Sequence, residues 1–175
     1  MQIIEFKNDP IDITNLPKIE TNDFHKIEKS YLKLKITNWG IRLLFFTGIF
    51  IAFIFISKNE LPYYIYIIFA AVLVSISLFS MFLIRKGHPI KSYQVREKDI
   101  SYQNGYLFYK LVTVPFNRIQ HVEVRQNFFE KIFKISSIKI YTAGGNTSDL
   151  VIPGLSLETA NSLKEQLTIN ISDHE

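Results

Sequence analysis

The chain has 175 residues, a formal net charge of +4, 47% hydrophobic residues and no cysteine. That length allows one ordinary domain plus small additions, and the missing thiols exclude disulfide frameworks, thiolate metal sites and cysteine nucleophiles. Residues 1–40 carry six Lys against six acidic residues and 85–175 carry twelve basic against nine acidic, so neither part is a dedicated binder of nucleic acid or another polyanion.

The first seven residues lack a basic stretch leading into an apolar run, and no cleaved signal peptide is expected. Residues 1–20, with Pro10 and Pro17, read as extended chain. Phe24, Ile27, Tyr31 and Leu34 then recur at three- and four-residue steps among lysines, which predicts an amphipathic helix capped by Asn22 or Asp23. Two roles are open to it: lying on the inner leaflet or packing on the C-terminal domain.

Residues 39–57 contain a single charge, Arg42, and 63–84 contain none. At ~1.5 Å per residue the nineteen positions of the first run reach about 28 Å, close to the roughly 30 Å hydrocarbon core of a bilayer. Two transmembrane helices are therefore expected within 39–86, and the short link between them makes them antiparallel neighbours. Lys33, Lys35 and Arg42 open the first span and Arg85, Lys86 and Lys91 follow the second, whereas the link offsets Lys58 with Glu60. Positive residues favour the cytoplasmic side, which puts both termini in the cytoplasm. Gly48 and Ala52 on one span and Ala71 and Ser75 on the other share a spacing of four at matching depths, and they are the expected hairpin contact.

Beyond residue 89 the period changes to that of strands. Runs at 92–96 and 99–103, the turn Asn104-Gly105, a run at 106–114, alternation over 119–127 and 137–142, a turn at 143–146 and a further strand at 149–152 predict an antiparallel β domain over 90–172. Ser156 can cap a closing helix to about Thr168, whose apolar face is Leu157, Ala160, Leu163 and Leu167.

Strands closed by a C-terminal helix are the plan of a pleckstrin-homology-like barrel or sandwich. The run Val114-Pro115-Phe116-Asn117-Arg118-Ile119-Gln120-His121-Val122-Glu123-Val124-Arg125-Gln126, continued by Phe129-Glu130-Lys131-Ile132-Phe133 and by 138–144, resembles the bacterial pleckstrin-homology family. More narrowly it resembles the YdbS-like, membrane-flanked group, in which a helical hairpin precedes one such domain. Two positions where that family commonly has Gly hold Asn127 and Lys134 here. Asn tolerates a left-handed backbone, whereas at Lys134 the turn is expected to differ from the usual one.

No motif for chemistry emerges. The four His residues, 25, 88, 121 and 174, are far apart and in no metal-ligand spacing, and there is no phosphate loop or nucleophile elbow. No catalytic residue, metal, cofactor or small-molecule substrate is assigned. The sequons at Asn146 and Asn170 would go unused on the cytoplasmic side.

Two surfaces are candidates for contact. Phe128, Phe129 and Phe133, with Lys131 and Lys134 on the rim, are more apolar than a strand connection requires and are assigned to a partner protein. Arg118, Arg125 and Lys139 are assigned to lipid headgroups, against the plainer reading of a solvated face in which Glu123 and Glu130 interleave. The expected function is a non-enzymatic, membrane-anchored interaction module of the bacterial inner membrane. The resemblance implies a membrane partner carrying several such domains, with self-association as the other possibility, and a role in envelope stress or resistance to antimicrobial compounds. The alternative is a sensor or carrier of anionic lipid headgroups.

Overall fold

The computed structural model of the chain describes residues 24–57, 61–143 and 150–172. The expected cap at Asn22 or Asp23, the centre of the interhelical link and the turn at 144–149 lie outside them, as does the side chain of Asn170.

Two long helices come first, α1 over Lys29–Ile56 and α2 over Tyr63–Gly87. Both are long and apolar enough to cross a membrane, and their most apolar stretches are not buried within the protein. A soluble core helix would have its apolar surface covered; here lipid is the environment that fits.

Between 40 and 57 the half-buried residues of α1 and its cap are Gly40, Leu43, Thr47, Phe50, Ile54 and Ser57, and between 66 and 80 those of α2 are Tyr66, Ala70, Leu73, Ser77 and Ser80. Alternating steps of three and four are the seam of two antiparallel helices. Along it the Trp39 indole N–H donates to the Ser77 carbonyl at 3.1 Å, Phe50 stacks on Phe69 at 5.4 Å, and the hydroxyls of Ser57 and Tyr66 meet at 2.6 Å. Gly48, Ala52, Ala71 and Ser75 lie exposed beside this seam rather than in it. The Ser75 hydroxyl turns back to the Ala71 carbonyl of its own helix.

The amphipathic helix expected from residue 22 is not a separate element. His25–Lys26 form a two-residue strand, β1, paired with the start of β2, and helix begins only at Lys29, continuous with the first span. Its apolar spacing still marks one buried face, but that face meets the C-terminal domain: Ile27, Tyr31 and Leu34 pack with Ile135 and Phe133.

That domain is two antiparallel sheets, a short helix α3 at Phe128–Ile132, and a longer closing helix. One sheet runs β1-β2-β3-β4, with β2 at Ser92–Val95, β3 at Asp99–Asn104 and β4 at Lys110–Pro115. The other runs β5-β6-β7, at Ile119–Arg125, Ile135–Thr142 and Leu150–Ser156. They face each other as a sandwich, not a closed barrel, over a core that includes Ile100, Val114, Phe116, Ile138, Ile140 and Ile152. The closing helix α4, Leu157–Ser172, adds Ala160, Leu163 and Leu167, and the Ser156 hydroxyl accepts the Thr159 N–H at 3.0 Å as the expected cap. Leu157, placed on the apolar face from sequence, is exposed. The run expected to be strand from 106 enters the ladder only at Lys110, leaving 105–109 as a loop.

Candidate membrane-proximal interaction surfaces

The joint between anchor and sandwich is built on main chain. The Glu28 N–H donates to the Gly154 carbonyl at 2.8 Å, and Gly154 takes a φ of +72° with Tyr31 pressed against it. The short helix α3, Phe128–Ile132, packs at the same joint through Phe133, half-buried among Ile27, Tyr31, Leu34 and Ile135. Phe133 is therefore part of the internal packing, while Phe128 is 73% exposed, Ile132 59% and Phe129 39%. Lys131 and Lys134 are exposed beside them.

The two glycine-like positions resolve differently. Asn127 has a φ of −76° and serves as N-cap of α3 in a capping box, its own N–H donating to the Glu130 carboxylate at 2.7 Å. The Asn is there for its side chain, not for left-handed backbone, and Glu130 is buried in consequence. Lys134 has a φ of +54°, so the left-handed turn is kept and the lysine bears its strain.

The candidate headgroup cations do not converge. Arg118 is exposed in the turn before β5, and among the described residues no carboxylate pairs with it. Arg125 lies 3.3 Å from Glu123, whose carboxylate also accepts the Tyr141 hydroxyl at 3.0 Å and stands opposite Lys139 in the β5–β6 register. The Tyr141 hydrogen bond, with Arg125 and Lys139 nearby, draws the Glu123 pKa below its ordinary value. This face is a mixed network of both signs.

Cations gather more densely at the base of the hairpin. Lys35 reaches over the Tyr31 ring at 5.2 Å, Arg85 and Lys86 close the last turn of α2, and burial followed by the charge of Lys35 lowers the pKa of Lys91. His88 is lowered too, by burial and then by Lys91.

Sequence reasoning missed the β3–β4 loop. Tyr106, Leu107, Phe108 and Tyr109 are all exposed, Phe108 at 87%, and the Tyr106 ring meets Phe82 of α2 edge-on at 5.9 Å. The available signal was four large apolar residues directly after the Asn104-Gly105 turn, a composition that also reads as a strand. Among the described residues no group of His, Asp and Glu is arranged to hold a metal ion.

Comparison with known proteins supplies the rest. A family model described as Bacterial PH domain matches residues 41–170. UPF0699 transmembrane protein YdbS of Bacillus subtilis (strain 168) is 33% identical over 108 residues, covering 61% of this chain and 66% of that protein's length. A crystal structure of a DUF1696 family protein with a pleckstrin-homology domain from Shewanella loihica PV-4 covers 46% of this chain and 70% of its own, at 13% identity and a TM-score of 0.37, too slight a likeness to argue from.

Proposed function

Since the chain belongs to the bacterial PH-domain family and is a YdbS-like membrane protein, we propose that it is a non-enzymatic, anchored interaction module whose α1–α2 hairpin crosses the inner membrane and holds the sandwich at the cytoplasmic leaflet. Both termini face the cytoplasm and only the link near residues 58–62 faces outward. Its partner is a second membrane protein carrying similar domains, or another copy, and the setting is envelope stress or resistance to antimicrobial compounds.

The observation that supports this reading is the exposure of Phe128, Phe129 and Ile132 on a helix locked to the base of the anchor. Exposed aromatic groups held rigidly are the anchors that protein interfaces use, and truncating one typically costs about 2 kcal/mol or more. Phe133 is excluded from that set because it packs inward. The headgroup-sensor alternative draws on Arg118, Arg125 and Lys139, of which Arg125 is already engaged by Glu123.

The test is co-purification of the full-length protein from membranes after Phe128→Ala/Phe129→Ala. Loss of bound membrane proteins with an unchanged unfolding midpoint supports the module; retention of every partner removes the patch from the interface. Binding to anionic vesicles that fades as salt rises, and is lost in Arg118→Ala, would favour the sensor.

A further inference from the structure

We propose that the β3–β4 loop, Tyr106 to Tyr109, dips into the cytoplasmic face of the bilayer beside α2, giving the sandwich a contact with lipid separate from the hairpin. This rests on the reading of α2 as a membrane span.

Gly105 has a φ of +99°, and a Cβ there would fall on the Phe108 carbonyl, so the chain doubles back and presents its next residues as a tip. The base of the tip is braced: the Tyr109 hydroxyl donates to the Gln103 side-chain carbonyl at 3.1 Å, and the Gln103 amide donates to the Ser92 hydroxyl at 2.7 Å. Leu107 and Phe108 are left at the end, more than half exposed. Water-facing loops are ordinarily polar, and four consecutive large apolar groups need another environment.

The position of the loop along α2 identifies that environment. Tyr106 meets Phe82, which lies inside the charge-free stretch of the helix, and its Cβ would be 3.9 Å from one placed on Gly87 at the helix end. Between those two contacts stand Arg85 and Lys86, with the Lys86 ammonium 6.0 Å from the Phe82 ring. Apolar residues followed by paired cations mark the boundary between hydrocarbon and headgroups. The loop is thus held at that boundary by direct contact with the span, and its Tyr, Leu and Phe side chains are those that favour it. Lys110, exposed at the start of β4, adds a cation on the headgroup side.

The chain has no cysteine, so a nitroxide can be attached at one site in the full-length protein reconstituted in anionic lipid vesicles. We would compare Phe108→Cys with Glu158→Cys on α4, exposed on the sandwich, and with Phe79→Cys, exposed on α2. Molecular oxygen concentrates in lipid and a nickel chelate in water. Phe108→Cys should follow Phe79→Cys, relaxed at least several-fold more by oxygen relative to nickel than Glu158→Cys. A label at 108 that behaves like that at 158 overturns the proposal while the span stands. A label at 108 shielded from both reagents also overturns it, and would indicate a protein partner on the loop. If 79 itself reports water, the spanning reading fails and this inference with it.

Discussion

Tyr31 of α1 lies so close over Gly154 of β7 that a Cβ built on the glycine would be 2.7 Å from the tyrosine Cβ and 2.8 Å from its Cγ. Within the first turn of α1, the anchor is thus fitted to the backbone of the sandwich, and the neighbouring hydrogen bond from Glu28 fixes the same point. Replacing Gly154 by Ala should destabilise the protein by about 2–4 kcal/mol, combining a left-handed residue with a clash. Because the contact involves the Tyr31 Cβ, adding Tyr31→Ala should not restore stability. Unfolding of the purified full-length protein in detergent checks both statements, and a Gly154→Ala protein as stable as the parent would mean that the joint is not tight.

The hairpin seam makes a second prediction. Ser77 lies in the seam and its carbonyl receives the Trp39 indole, whereas Ser75 is exposed two residues away. Ser77→Leu should push the helices apart at an overpacking cost of about 1–3 kcal/mol and shift the emission of Trp39, the chain's one Trp. Ser75→Leu, like Gly48→Leu, should leave emission and stability unchanged. Equal effects at 75 and 77 would misplace the seam.

At Lys134 the expected change is a gain. Glycine removes the left-handed penalty of about 1–2 kcal/mol and gives back roughly 0.5–1 kcal/mol in unfolded-chain entropy. Lys134→Gly should therefore raise stability by up to about 1.5 kcal/mol in the same unfolding measurement. Destabilisation would show that the φ of +54° carries no strain.

Orientation can be read with single cysteines in intact cells. Leu61→Cys, at the entry to α2, should react with an impermeant maleimide, and Glu158→Cys should react only after the membrane is permeabilised. The reverse pattern would invert the topology and with it the inner-leaflet role.

The sequence by itself determined the presence of two helices long and apolar enough to cross a membrane, because uninterrupted apolar length has few other solutions. It also determined the strand succession from 92 onward and the Ser156 cap, since alternation and capping are written locally. It could not determine which stripe of each helix faces the other. A helix apolar on every side has no preferred face in its composition, so the small residues Gly48, Ala52, Ala71 and Ser75 read as the contact, whereas the structure turns Thr47, Ala70 and Ser77 inward instead. The spacing of Ile27, Tyr31 and Leu34 announced a buried face but not its cover, which the fold supplies from β6 and the residue after α3. Phe133 was likewise indistinguishable from Phe128 in sequence; one turns into that cluster and the other out of it. The apolar run at 106–109 matched a strand in composition, and only the tertiary structure, in which β4 begins at Lys110 and Tyr106 meets Phe82 of α2, made it a loop.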